Sequence, residues 1–254
     1  MKFFKEDHFI IIKSLVTKDL KLKYKNSILG YFWSLLHPVI YIAIFYVVFS
    51  NAFPSVENYA LYIISGILFW TFFSTGTSQM TSSIVSGASI LKSIYIPGYF
   101  FTLSLLISAL INFLLSLIPF IFLMFFLGAK FQFSLICVLP IILLFSIFTY
   151  GFGLMLASLN VFYRDVNMIW LSFSPAIFYA TPVAYVIDIV PEKWLFLYKL
   201  NPLVQFLEAV HHVIYNGLWL TWTELAILSA WALVSIFVGS SIYKKLEKGF
   251  VSNL

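Results

Sequence analysis

Long apolar runs separated by short, punctuated connections dominate this chain. The runs fall at residues 30–52, 60–83, 100–127, 134–160, 167–187 and 222–243. A hydrocarbon core about 30 Å thick is crossed by roughly 20 helical residues rising 1.5 Å each. Alternation with a period of two is absent, and backbone polar groups in lipid must be paired within their own segment, so each run is predicted as a helix. Phe53-Pro54-Ser55, Ile96-Pro97-Gly98 and Gly128 mark the breaks between runs. The expected fold is a single all-α polytopic membrane domain over 1–254 with six transmembrane helices.

Three further segments are patterned differently. In 1–26, Phe9, Ile12, Val16, Leu20 and Tyr24 recur at helical spacing, with Lys13, Thr17, Lys21 and Lys25 on a neighbouring polar face. This predicts an interfacial amphipathic helix with lysines toward lipid headgroups; a short helix packed on a partner is the alternative. Asn26 and Ser27 are candidate caps for the first span. Loop 86–99 is too apolar for a simple solvated connection: a short helix there must bury Leu91, Ile94 and Tyr95 beside Lys92, in a groove on a cytosolic partner or against the protein's own membrane face. Residues 188–221 hold Pro191-Glu192, Asn201-Pro202, Glu208, His211-His212 and Asn216-Gly217. They predict two short helices dipping in from outside, acting as a gate or as an inert cap, since irregular backbone at depth must be buried or line water.

Composition agrees with lipid as the solvent. The 254 residues are 62% hydrophobic and 10% charged, against about 45–50% and 25% in soluble domains. The 15 basic residues are placed asymmetrically. Seven lysines precede the first run, Lys244, Lys245 and Lys248 follow the last, and Lys92 and Arg164 lie in loops on the same side; only Lys130, Lys193 and Lys199 fall opposite. The positive-inside rule then places both termini in the cytoplasm. Ser50-Asn51-Ala52 resembles a signal cleavage site, but the preceding apolar run is too long for a signal peptide. No basic stripe with its own domain supports nucleic-acid binding. The lone Cys137 excludes an internal disulfide.

Catalysis and self-powered transport find little support. Glu208, His211 and His212 have a spacing that can face one metal, but a zinc site needs three or four ligands, and a polar helix face explains them equally well, so no metal is expected. Ion-coupled carriers place titratable groups within their spans; here His37 is nearly alone. No Gly-x-x-x-x-Gly-Lys loop exists, so the chain is not itself an ATPase.

Aromatic residues form the positive signal. Trp33, His37, Tyr41, Phe45 and Phe49 follow at every fourth position of the first run, and Trp170, Phe173, Ile177, Thr181 and Tyr185 share a face of the fifth. Aromatic rings offer flat apolar surface to the C–H face of a sugar, and Tyr and Trp add polar edges. These stripes line a channel or face lipid, where aromatics also gather.

Tyr24-Lys25-Asn26-Ser27-Ile28-Leu29-Gly30-Tyr31-Phe32-Trp33 with Pro38, then Phe162-Tyr163-Arg164-Asp165, Tyr179-Ala180-Thr181-Pro182-Val183-Ala184-Tyr185, Pro191-Glu192 and Asn201-Pro202 occur in order. Together they resemble ABC-2-type permeases that export O-antigen, capsule or teichoic acid polymers, most of all the Wzm-like branch. The resemblance spans nearly the whole chain. It implies a homodimer in the bacterial cytoplasmic membrane, joined by a separate ATP-binding subunit that holds ATP and Mg, with no cofactor in this chain. It further implies a channel from first and fifth spans, coupling through Leu91, Lys92, Ile94 and Tyr95, and gate helices containing Pro191, Asn201, Pro202 and Glu208. The cargo would be an undecaprenyl-type lipid-linked polysaccharide, with Arg164 meeting its pyrophosphate or serving as a structural cap. A permease for a drug or small lipid and a membrane-embedded enzyme are the alternatives.

Overall fold

The computed structural model describes residues 5–23, 25, 32–49, 58–93, 96–129, 131–187 and 190–254, with backbone alone at 5–7, 34, 35, 37, 38, 42, 45, 46 and 49. Helices run in the order α1 (Lys5–Lys23), α2 (Phe32–Phe49), α3 (Tyr59–Ser86), α4 (Ala88–Ser93), α5 (Tyr99–Phe126), α6 (Val138–Phe162), α7 (Asp165–Tyr179), α8 (Glu192–Lys199), α9 (Pro202–Ile214), α10 (Trp222–Leu246) and α11 (Phe250–Asn253). Short 3-10 turns precede α6 and follow α10. No strand occurs among the described residues.

Four helical stretches among the described residues are long and apolar enough to cross a membrane: Tyr59–Ser93, Tyr99–Phe126, Phe133–Phe162 and Trp222–Asn253. They coincide with the second, third, fourth and sixth apolar runs. Helix α2 occupies 18 residues of the first run. The candidate caps Asn26 and Ser27, Tyr24, residues 28–31 of the first motif, and the Ser50-Asn51-Ala52 and Phe53-Pro54-Ser55 segments lie outside the described residues.

Helix α3 is the hub. It is buried on nearly every side, packed by α5, α6, α7 and α9 and touched by α2. Its N-terminal half is apolar nearly all round, as suits an interior helix, and its C-terminal half buries Thr77, Thr81 and Ser83 as well. Phe69 and Phe73 of α3 meet Phe145 of α6 at ring-centroid distances of 5.8 and 6.0 Å, and Phe145 meets Phe206 of α9 at 4.9 Å. Lipid tails are as apolar as these rings, so close packing and polar ties between helices hold the bundle rather than escape from water.

Several hydroxyls inside the bundle satisfy themselves locally. Thr77 donates to the Phe73 carbonyl, Ser146 to Ile142, Thr149 to Phe145 and Ser158 to Leu154, each at 2.7 Å. Bonding back one turn keeps these groups paired without water. Asn160 reaches across helices: its amide nitrogen donates to the Thr81 carbonyl at 3.0 Å and its oxygen accepts from the Asn167 amide at 3.2 Å. One side chain thereby joins α3, α6 and α7. Helices α6 and α10 meet through Gly151 and Gly239, whose missing side chains let the two backbones touch.

One expectation is corrected. The fifth run is not one helix over 167–187, because α7 ends at Tyr179 and turns follow. Pro182 explains the break, since it lacks an N–H and disfavours helical geometry at Thr181. Thr181 and Tyr185 therefore do not continue the helical face of Trp170 and Phe173. In α1, which packs against α5, Val16 is buried and Phe9 is 69% exposed.

Candidate functional site

An aromatic recess opens where α7 ends and α8 begins. Tyr179, Ala180, Tyr185, Val190, Pro191, Trp194, Leu197, Tyr198 and Asn201 line a shallow, open recess of about 570 Å³. Three phenols, an indole and one carboxamide in an otherwise apolar wall suit a ring with apolar faces and polar edges.

The recess is positioned by bonds made outside it. Past Tyr179 the chain runs over the N-terminal half of α3, where Tyr62 donates its hydroxyl to the Tyr185 carbonyl at 3.0 Å and Tyr59 donates to the Ala184 carbonyl. Gly66 permits this approach, since a Cβ there would stand 2.6 Å from the Val183 carbonyl oxygen. Tyr185 returns a bond from its own hydroxyl to the Tyr179 carbonyl at 2.9 Å, which closes the turn over the end of α7. On the other wall, Trp194 and Tyr198 lie one turn apart on α8, so they share a face. Asn201 accepts from the Leu203 amide at 3.0 Å, capping α9, with Pro202 at the first helical position where its missing N–H costs nothing.

The expected channel residues are distributed unevenly. Trp33 and Tyr41 are exposed on α2, whereas the side chains of His37, Phe45 and Phe49 lie outside the described residues. On α7, Phe173 is 62% exposed but Trp170 is 5% exposed. The Trp170 indole donates to Thr77 Oγ1 at 3.2 Å and packs against Phe152 at 5.1 Å. Trp170 is thus part of the interior of this chain, whereas Phe173, one turn further on, is exposed. Tyr185 joins the recess through the turn instead of through the helix face.

The expected gate residues converge around α8 and α9. Pro191 and Asn201 line the recess, Pro202 starts α9 and Glu208 is half-buried on it. His211 and His212 diverge: His211 Nε2 donates to the Tyr62 carbonyl at 3.1 Å, with its ring stacked 3.7 Å from that of Tyr62. His212 instead faces Glu224. The Glu208-His211-His212 spacing therefore does not gather three ligands, and no group of three metal-binding side chains occurs among the described residues.

At the inner end, Leu91 is half-buried and Lys92 exposed on α4, while Ile94 and Tyr95 lie outside the described residues. Leu91 packs on a small cluster containing Ile84, Leu154, Ala157, Val161, Tyr243 and Phe250. Arg164 Nη2 donates to the Asn253 carbonyl at 3.3 Å, which caps the end of α11. Tyr179, Trp194 and Tyr198 are recess residues that sequence reasoning missed; the signal was available in Trp194 and Tyr198, spaced by four between Pro191 and Asn201.

Comparison with known proteins adds an identity to this geometry. Residues 11–215 match the family described as ABC-2 type transporter. The chain is similar to an O-antigen export system permease protein RfbA of Klebsiella pneumoniae, 29% identical over 248 residues, covering 97% of this chain and 95% of the relative. A protein of the same description from Myxococcus xanthus is 25% identical over 96% of this chain and 95% of its own length. The polysialic acid transport protein KpsM of Escherichia coli is 19% identical over 252 residues, 96% of each chain. With its family match covering most of its length, the chain belongs to the ABC-2 type transporter family.

Proposed function

We propose that this chain is the membrane-crossing subunit of an ATP-driven exporter of O-antigen-like, lipid-linked polysaccharide in a bacterial cytoplasmic membrane. The observation that carries the reading is the alignment, nearly end to end, with polysaccharide export permeases. The aromatic recess at the end of α7 adds a surface of suitable chemistry for sugar rings.

Six crossings by α2, α3, α5, α6, α7 with its following turns, and α10 suit the asymmetry of basic residues and leave both termini inside. Helices α8 and α9 then lie between the last two crossings on the outer side, where they serve as gate helices. The exposed aromatic and aliphatic residues of α2 and α7 suit a second copy facing them across a channel. Trp33, Tyr41 and Phe173 would contribute to its wall, with His37, Phe45 and Phe49 continuing the α2 stripe.

Power comes from outside the chain. A separate ATP-binding cassette subunit holds ATP and Mg, and the α4 loop docks in its groove through Lys92, Ile94 and Tyr95, with Leu91 anchoring α4 to the bundle. Nucleotide binding shifts the population between channel states by differential contact with them. Arg164, on the same side as α4, holds Asn253 through one guanidinium nitrogen, and its remaining donors suit the pyrophosphate of the lipid carrier. The test is co-purification with the ATP-binding subunit. Wild type recovers it, and Lys92→Glu, which reverses charge on the exposed face of α4, reduces its recovery. Equal recovery with both would overturn the docking role of α4.

A further inference from the structure

The stretch after α10 folds back against the inner end of the bundle and inserts Phe250 among α4, α6 and α10. Phe250 is 2% exposed although it lies in a four-residue helix. Its ring meets Tyr243 of α10 at 5.6 Å and 71°, and Phe162 of α6 at 6.2 Å. On the opposite side it covers Gly98 at the start of α5, where even a Cβ would sit 3.5 Å from the Phe250 ring. Leu91 of α4 and Ile84 of α3 border the same cluster.

Polar bonds fix this arrangement. Tyr243 accepts from the Tyr99 amide at 3.3 Å, its ring lying 6.0 Å from that of Tyr99. Asn253 donates to the Gly249 carbonyl at 2.8 Å, and its own carbonyl accepts from Arg164 at the start of α7. The loop 87–98 is covalently attached only to α3 and α5. Through Phe250 it also rests on α6 and α10, and through Asn253 and Arg164 on the entry to α7.

We propose that Phe250 is a positioning residue for transport: it clamps the α4 loop to the inner ends of α6 and α10, so that a displacement of α4 moves these helices together with α3 and α5. This inference rests on the reading of α4 as the contact with the ATP-binding subunit. Densely packed clusters resist compression and hand strain to their neighbours. α4, α6 and α10 share one packed element in Phe250, and the experiment measures the coupling it carries. Leu91 takes the load from α4, Phe250 passes it on, and Tyr243 and Phe162 receive it.

The experiment uses the full permease with its ATP-binding subunit reconstituted in liposomes, reading polymer exported per ATP hydrolysed. Phe250→Ala is expected to recover the complex in normal amount and to keep ATP hydrolysis within about two-fold, while export per ATP falls by at least about five-fold, the low end of coupling between sites. Phe250→Leu, which refills most of the space, restores most of the ratio. An unchanged ratio in Phe250→Ala overturns the clamp. The docking reading fails separately, if Lys92→Glu leaves complex recovery untouched.

A second arm keeps Phe250 in place and therefore does not depend on the stability of the variant. With Cys137→Ser as background, spin labels at Ser89→Cys and Val251→Cys report the separation of α4 and α11. The clamp predicts a distance constant to within about 2 Å between nucleotide-free and ATP-trapped states, the scale of shifts between packed helices. A larger change means that the two elements part during the cycle and overturns the proposal.

Discussion

The His212 nitrogen Nδ1 stands 2.8 Å from the Glu224 carboxylate oxygen Oε1, linking the end of α9 to the first turn of α10. His212 Nδ1 makes no hydrogen bond of good geometry, and the other carboxylate oxygen is engaged elsewhere. Glu224 Oε2 accepts from the Thr221 amide at 2.8 Å, and the Glu224 amide donates to Thr221 Oγ1 at 3.2 Å. One carboxylate thus completes a capping box and ties two helices. Thr221→Ala removes a cap worth about 1 kcal/mol, and Glu224→Ala destabilises further because it also releases His212. Thermal unfolding of the purified variants checks the order; equal losses would show that the His212 contact contributes nothing.

Burial holds the Glu208 carboxyl above the ordinary carboxylate range, against the pull of Lys199 and with a push from Glu224. Glu208 stands on α9, outside the membrane-crossing helices. With the folded value above the unfolded one, the folded state favours the protonated acid. Its stabilising contribution is complete at low pH and is lost as the pH rises through the folded value. Glu208→Gln is therefore expected to raise the melting temperature at neutral pH and to have less effect in mild acid. A variant that melts lower than wild type at neutral pH would contradict this sign.

Helices α6 and α10 touch at Gly151 and Gly239 with no room for a side chain: a Cβ at Gly239 would collide with the Gly151 backbone. Gly239→Ala forces the pair apart, at a cost of about 1–3 kcal/mol for overpacking. The loss registers as a lower melting temperature and as aggregation on size-exclusion chromatography. A variant as stable as wild type would show that the helices separate freely.

Trp194 exposes half its surface to the recess and carries no core contact comparable to that of Trp170. Trp194→Ala is expected to leave folding and ATP hydrolysis by the complex unchanged and to lower polymer export several-fold, since stacking of an aromatic ring contributes on the order of 1 kcal/mol. Trp194→Phe keeps most of the flat surface and should keep most of the export. Full export by Trp194→Ala would remove the recess from the polymer path.

The long helices were legible in the sequence because a run of twenty apolar residues has few alternatives, and α3, α5, α6 and α10 fall where the runs do. The end of α7 was misread because Thr181 and Tyr185 happen to continue its period, which outweighed the nearer signal of Pro182. Trp170 shows a deeper limit. In a membrane protein the face toward protein and the face toward lipid are both apolar, so spacing alone does not assign a ring to either. The pair of short helices in 188–221 was visible from Pro191 and Asn201-Pro202. The recess was not, because it joins Tyr179 and Tyr185 to Trp194 and Tyr198 through turns held by Tyr59 and Tyr62 from α3. Arg164 and Asn253 are 89 positions apart, and no local pattern announces their bond.

Export of lipid-linked polysaccharide by the purified chain in proteoliposomes, with and without its ATP-binding subunit, tests the account most directly. Polymer should cross the bilayer only when that subunit and ATP are both present, and an imposed proton or sodium gradient should not replace them. Export by this chain alone, or export driven by an ion gradient without nucleotide, would contradict it.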